Sequence, residues 1–357
     1  MKPTLFAFLA AVGLAHAQTA VTTPVGFVSI TCLPNSDTIV GLPLRISADA
    51  VGALTANPVV AGDEATLEVA NASFGAFAGT HYAKFKTSAT AAGKWFSITA
   101  NTTTTLTVDL NGDTLSAASG DAIEVLKFWT LSELFDPAAS TTSASTTGNA
   151  IVASTSTSLL GRRSEILIPN LSGVGINLAS AGTYFIHNST WKQHGQGDAN
   201  KGSLQLWPDS YIIIRHSSVI TQSTTYVAAG EVEIGEFDFS LLTRTSVSQD
   251  NFVGLPRPTD TSLNNLNLGG TSAFVSSTST SLLGRKDELL VFDNALVGRN
   301  KSAAATYFYF DGKWKRHGDG AAENRGADLI RAGSGFIIRK RKTTDGATSN
   351  WDNIASY

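Results

Sequence analysis

One stretch of this chain occurs twice. Residues 150–168 read AIVASTSTSLLGRRSEILI, and residues 273–291 read AFVSSTSTSLLGRKDELLV. The correspondence continues: TYFIHNSTWKQHG at 183–195 answers TYFYFDGKWKRHG at 306–318, and YIIIR at 211–215 answers GFIIR at 335–339. It also extends upstream, where VGFVSITCLP then DTIVGLPL (37–44) parallels EVEIGEFDFSLL then DNFVGLPR (250–257). Each copy therefore reads strand, Val-Gly-Leu-Pro, connection, STSTSLLGR, hairpin, closing strand. The proline ends ladder pairing, because it has no N–H to give. Thr and the β-branched residues that fill these segments favour strands.

The two copies differ in their first connection. Pro256 to Ser276 is a short Asn-, Thr- and Gly-rich loop, whereas Pro43 to Ala153 contains a whole further segment. ATLEVAN, HYAKFKTS, KWFSITA, TTLTVDL and AIEVLKFW are short alternating runs separated by Gly, Asn and Asp, the pattern of a small antiparallel barrel or sandwich. The expected fold class is all-β: a duplicated antiparallel β-sandwich or barrel-like unit, with a small β-barrel-like domain inserted in the first copy. The expected division is a signal peptide at 1–17, a first copy at 18–54 and 141–225, an insert at 55–140, and a second copy at 226–357. TLSELF at 130–135 reads as one helical turn, and AASTTSASTTGNA as a flexible return linker.

The hairpin register follows from its turn. TYFYF and KWKRH flank Asp311-Gly312, the strongest short hairpin signal. A two-residue turn sets Phe310 opposite Lys313, Tyr309 opposite Trp314, Phe308 opposite Lys315 and Tyr307 opposite Arg316. One face then carries Tyr307, Tyr309, Trp314 and Arg316; the other carries Thr306, Phe308, Phe310, Lys315 and His317. Both faces are aromatic, so the hairpin should be covered on both sides. Copy one has Asn188-Ser189 at the turn, without the glycine.

The N-terminus has Lys2, an apolar run from Leu5 to Leu14, and Ala15-His16-Ala17 as a small-x-small cleavage site. This is the pattern of a secretory signal, with Gln18 as the mature start. No later run approaches the ~20 apolar residues of a spanning helix. Loss of Lys2 takes the formal charge from −3 to −4, which argues against a nucleic-acid partner. Cys32 is the only cysteine, so no internal disulfide exists, and its place in FVSITC suggests a small buried hydrophobe.

The site signals are weak one by one. Trp191 with His194, and Trp314 with His317, occur in both copies. The register sends each Trp and His to opposite faces, so packing of the ring is the simpler role. The binding candidates are Trp191, Trp314, Tyr307, Tyr309 and Arg316, as an aromatic face for a sugar. Arg162 and Arg285 precede Glu165 and Glu288 by three, a spacing suited to pinning a loop. Asp287 has no counterpart, since copy one has Ser164, so a repeated carboxylate pair is lacking. His187, His194 and His216 are too scattered for zinc, and His81 lies in the insert. Asp109, Asn111 and Asp113 begin like a calcium loop but lack its glycine and closing glutamate, so Asn111-Gly112 reads as a turn. Asn71, Asn101, Asn170, Asn188 and Asn300 head Asn-x-Ser/Thr triplets of a kind that chance supplies. No nucleophile elbow or P-loop is present. No catalytic residue, metal or cofactor is assigned.

The signal peptide, DTIVGLPL, GKWFSITANTTTTLTVDLNGDTLSAASGDAIEV followed by FWTLSELF, and the closing GFIIR together resemble an uncharacterised family of bacterial secreted, β-rich conserved hypothetical proteins. The resemblance spans most of the mature chain. It implies export and a β-rich fold; it brings no activity and no functional residue.

The expected function is that of a secreted or cell-surface, non-enzymatic structural or binding protein, with the periplasm as a further location. Its partners would be a polysaccharide or another cell-surface protein. Self-association through edge strands is a further expectation. The alternatives are a carbohydrate-binding protein, marked by exposure of Trp95, Trp191, Trp207 or Trp314, and a secreted polysaccharide hydrolase, which needs two carboxylates ~5–9.5 Å apart. A membrane barrel fits poorly, because the strands are short and WDNIASY lacks alternation.

Overall fold

The computed structural model describes residues 23–70, 72–143 and 149–356. The expected leader at 1–17, its cleavage point, Asn71 and positions 144–148 of the serine-threonine run lie outside the described residues. The chain is almost wholly β. Two five-stranded antiparallel sheets form its body. One runs in the order Thr190–Gln193, Gly182–His187, Ser164–Ile168, Tyr211–His216, Asp37–Gly41. The other runs Lys313–Arg316, Ala305–Phe310, Glu288–Val291, Gly335–Lys340, Gln249–Gly254. The orders correspond strand for strand, with the matching sequence stretches in matching places.

A two-stranded ribbon backs each sheet. Val25–Cys32 pairs with Thr224–Glu231 over the first, and Phe237–Leu241 pairs with Ser349–Asn353 over the second. The apolar alternation of each ribbon faces inward and closes a core. Cys32, Ile166, Ile186, Trp191 and Tyr226 are fully or nearly fully buried in the first, and Phe239, Leu289, Trp314, Ile338 and Trp351 in the second.

The remaining faces of the two sheets pack on each other through Ile39 and Tyr211 on one side and Leu290 and Ile337 on the other. The backbones nearly touch at Gly41 and Gly254: a Cβ on Gly41 would lie 2.9 Å from the Gly254 Cα. A reciprocal lock flanks this crossing. Arg215 grips Asp37 through two bonds of 2.7 Å, and Asp37 accepts the Asn300 N–H at 2.6 Å from the opposite unit. Arg339 likewise grips Asp250, which accepts the Asn177 N–H at 2.8 Å.

The inserted segment is a seven-stranded antiparallel sheet ordered Ala50–Ala53, Ala122–Lys127, His81–Thr87, Trp95–Asn101, Thr105–Asp109, Glu64–Glu68, Val59–Ala61. Its first strand reaches back to the sixth in that order. Leu54 bridges Val69, and the Ala70 N–H donates to the Ala53 carbonyl at 2.9 Å. Leu67, Phe85, Ile98, Leu106 and Val125 fill its interior.

Three expected boundaries meet the structure differently. Ala50–Ala53 already belongs to the inserted sheet, ahead of residue 55. Leu131 and Phe135 are buried in the first unit's core, inside the range expected for the insert. The strand Thr224–Glu231 runs across the 225/226 division, because its partner is the first ribbon strand. The connection after Pro256 also holds more than a loop: Thr261–Ser262 pairs with Leu329–Ile330 and leads into a 3-10 turn at Leu263–Leu266.

The hairpin has the register set by its two-residue turn, Tyr307 opposite Arg316 through Phe310 opposite Lys313. Asp311 and Gly312 have φ of 51° and 69°, and Asn188 and Ser189 both have 51°, so both turns are left-handed and Ser189 bears the strain a glycine would avoid. Leu131–Leu134 forms one helical turn, closed by a Thr130/Glu133 capping box.

Candidate functional site

The hairpin residues do not form a ligand platform. Trp191 is fully buried, and its Nε1 donates to the Phe135 carbonyl at 3.2 Å. Trp314 is buried against Phe274 and edge-on to Tyr309. Tyr309 is covered by the loop at Gly269, where a Cβ would lie 2.5 Å from its ring. Tyr307 donates to Asp328 at 2.8 Å, and burial pushes its hydroxyl up to about 12. Only Arg316 is exposed, and it donates to the Ala304 carbonyl at 3.1 Å. Trp191 is thus core of the first unit, and the other four are core, cap and rim of the second, a consequence of the two-sided coverage that the aromatic alternation demands.

The other signals resolve structurally. Arg162 pairs with Glu165 at 2.9 Å over the Phe185 ring, and Arg285 pairs with Glu288 at 3.3 Å over Phe308, so both pin their loops. His216 lies buried between Ser164 at 3.0 Å and Thr224 at 2.8 Å, and burial lowers its pKa to about 4. His81 meets Asp49 at 2.7 Å. Asn111 and Gly112, at φ 50° and 75°, make a turn whose N–H groups donate to Asp109 and Asp63. No group of three metal-ligating side chains occurs among the described residues.

A different surface gathers functional side chains. It lies where the inserted sheet meets both units, and it is built on the Trp207-Pro208-Asp209 turn. Trp207 is the most exposed of the six tryptophans, at 37%. Its ring lies 5.3 Å from Trp95 and 5.8 Å from Phe128, with Tyr82 a further 4.9 Å behind Phe128. Trp95 and Tyr82 alternate off neighbouring strands of the inserted sheet, which is why one sheet presents both. Beneath them is a cavity of about 20 Å³ lined by Leu42, Tyr82, Phe128, Pro208 and Glu233. It has room for a water molecule and no more, so a ligand would lie across the aromatic surface.

Charge surrounds this recess. Arg45 contacts Glu124 at 2.5 Å, Glu231 at 3.5 Å and Glu233 at 3.8 Å. Burial opposes its charge, but Glu233 and Glu124 outweigh burial and raise its pKa. Lys84, buried, bonds Glu233 at 3.1 Å; burial lowers its pKa, with Glu233 opposing. Burial pushes the Asp209 carboxyl up to about 7. Trp95 and Trp207 were among the residues whose exposure discriminates the carbohydrate reading. Asp209, Tyr82 and Phe128 carried no sequence signal, because only the fold brings residues 82, 128 and 209 together.

Comparison of the chain with family models, with curated proteins and with solved structures returns no match. What the fold and the surface define is a class: an all-β protein of two like sheets and an inserted sheet, with an aromatic recess at their junction.

Proposed function

We propose that the protein is an exported, non-enzymatic binding protein and that the recess around Trp207 takes carbohydrate. The carrying observation is the half-open Trp207 ring braced by Trp95 and Phe128. An indole face backed by fixed rings offers a flat apolar surface to the C–H face of a sugar, and Lys127, which lines the recess, supplies a partner for hydroxyls. Export rests on the leader-like first residues, and the two units are read as copies of one ancestral unit, a reading supported by their matching strand order. The test is tryptophan fluorescence of the mature protein against a polysaccharide panel, with Trp207→Ala in parallel. A shift that Trp207→Ala abolishes supports the reading. No shift with any glycan defeats it, and release of reducing ends would replace it with the hydrolase.

Self-association has its own support. Val59–Ala61 closes one end of the inserted sheet with all three residues exposed, and such an open apolar edge invites pairing with a second copy. Sedimentation over a wide concentration range tests this, and a monomer throughout removes it.

A further inference from the structure

The inserted sheet meets the ribbon of the second unit along the segment Gly93 to Trp95, beside Lys84, whose ammonium lies 5.9 Å from the centre of the Phe237 ring. Gly93 crosses the ribbon so closely, at φ 82°, that a Cβ would lie 2.9 Å from the Asp238 nitrogen and 3.0 Å from the Glu236 carbonyl carbon. The Asp238 N–H donates to the Gly93 carbonyl at 3.1 Å. Next in sequence, Lys94 holds Asp113 at 2.9 Å, and Asn350 of the ribbon donates to the same carboxylate at 3.2 Å. Trp95 follows, and its ring is the brace under Trp207.

The ribbon places two acids directly across from each other at this contact. Asp238 and Asp352 are cross-strand partners, with Phe237 and Phe239 turned inward on either side. Asp238 is buried under the segment, whereas Asp352 remains open to solvent. The charged groups facing Asp238 are Asp352 on the opposite strand, and Lys94 and Asp113 on the insert. Glu236, two residues away on its own strand, faces Asp352 and Lys84. Lys94 is engaged by Asp113 and Lys84 by Glu233, so neither cation is left to neutralise a second aspartate. Opposed carboxylates in such a place hold one proton between them.

We propose that this contact is a pH-operated latch on the aromatic recess: a proton shared by Asp238 and Asp352 keeps Gly93–Trp95 seated, and its loss frees the segment and unbraces Trp207. With the proton present, one carboxyl donates to the other and the pair carries a single negative charge. Without it, two negative charges meet beside Asp113 and Glu236, and the nearest relief is for the insert to lift and admit water. Burial first, and Asp352 second, bring the Asp238 titration to about 8, so the latch works in mildly alkaline solution. Its consequence for ligand binding rests on the carbohydrate reading; the latch itself does not.

The test uses the full chain and trypsin, with cleavage after Lys94 followed by mass spectrometry. Lys94 is buried and paired in the closed contact, so cutting there reports release. Relative to cleavage at an exposed control site, cutting after Lys94 is expected to rise by about tenfold per pH unit as Asp238 ionises, and to level off above its titration. Asp238→Asn should abolish that rise, and Asp352→Asn, which leaves Asp238 buried but without its opposed carboxylate, should move its levelling-off to lower pH. Asp352 is exposed, so the second variant remains informative should the first fail to fold. Unchanged Lys94 cleavage across the alkaline range in wild type, or the same rise in a folded variant, overturns the latch. Glycan-induced fluorescence on the same samples separates the two ideas. A pH-dependent Lys94 site with no glycan response keeps the latch and removes the carbohydrate reading; a glycan response with a flat Lys94 profile does the reverse.

Discussion

Asp287 and Ser164 occupy the same place in the two units, and their partners differ to match. Ser164 bonds His216 at 3.0 Å and accepts the Val152 N–H at 2.9 Å. Asp287 is fully buried, pairs with the buried Lys340, and accepts the Val275 N–H at 2.8 Å. A neutral hydrogen-bonded pair in one unit thus stands where a buried ion pair stands in the other, and each satisfies the same backbone donor. Asp287→Ser alone should cost about 3–5 kcal/mol, because it strands a buried ammonium. Adding Lys340→His should recover most of the loss, since it rebuilds the first unit's arrangement. Denaturant unfolding measures both, and a single variant within about 0.5 kcal/mol of wild type would refute the account. The tryptophans divide in the same physical way. Trp191→Ala and Trp314→Ala should each cost about 3–5 kcal/mol by emptying a packed core. Trp207→Ala should cost far less, near 1 kcal/mol, and act on binding instead.

At the level of strands and turns, the crossing of the two sheets is the most demanding contact. Gly41→Ala or Gly254→Ala would drive a methyl group into opposing backbone, which cannot rotate away, and should cost about 1–3 kcal/mol in thermal or denaturant melts. Equal stability in both variants would mean that the sheets slide freely there. The matching STSTSLLGR turns pose the opposite case. Leu160 and Leu283 are each 93% exposed at the tips of Leu159–Gly161 and Leu282–Gly284. Leu160→Ser and Leu283→Ser should therefore stay within about 0.5 kcal/mol of wild type. Much at this scale was legible beforehand. Repeat spacing located equivalent strands, and Asp311-Gly312 alone set a register that holds at every pair. What escaped the sequence has no local pattern. Ala50–Ala53 is four small or plain residues that become a strand only through Ala122–Lys127. The lock of Asp37 on the Asn300 N–H joins groups 263 residues apart. Trp191 stays a sugar candidate beside the simpler packing role because a strand's alternation tells which residues share a face but not which face is wet; the ribbon Val25–Cys32 settles that from elsewhere in the chain.

The whole molecule combines two opposed pH dependences. His216 is held neutral in the fold, its pKa lowered by burial to about 4 from an ordinary value of 6.5. Its contribution is complete above 6.5 and is lost as pH falls through 4, because protonation then favours the unfolded chain. Asp209 and Asp238 act in the other direction. Burial raises them to about 7 and about 8, so the fold binds protons that the unfolded chain has released. Their contribution is complete below the ordinary aspartate value of 3.8 and is lost as pH climbs through 7 and 8. Between neutrality and pH ~8.5 the histidine is silent in both states and only the aspartates change, so stability must fall with rising pH across that interval. Thermal melts should show Tm lower by roughly 2 °C or more at pH ~8.5 than at pH ~7. Asp238→Asn should flatten part of this slope and Asp209→Asn another part, with the effects adding, since one residue lies at the ribbon and the other at the Trp207 turn. A Tm that rises over the same interval would show that neither carboxyl keeps its proton in the folded protein.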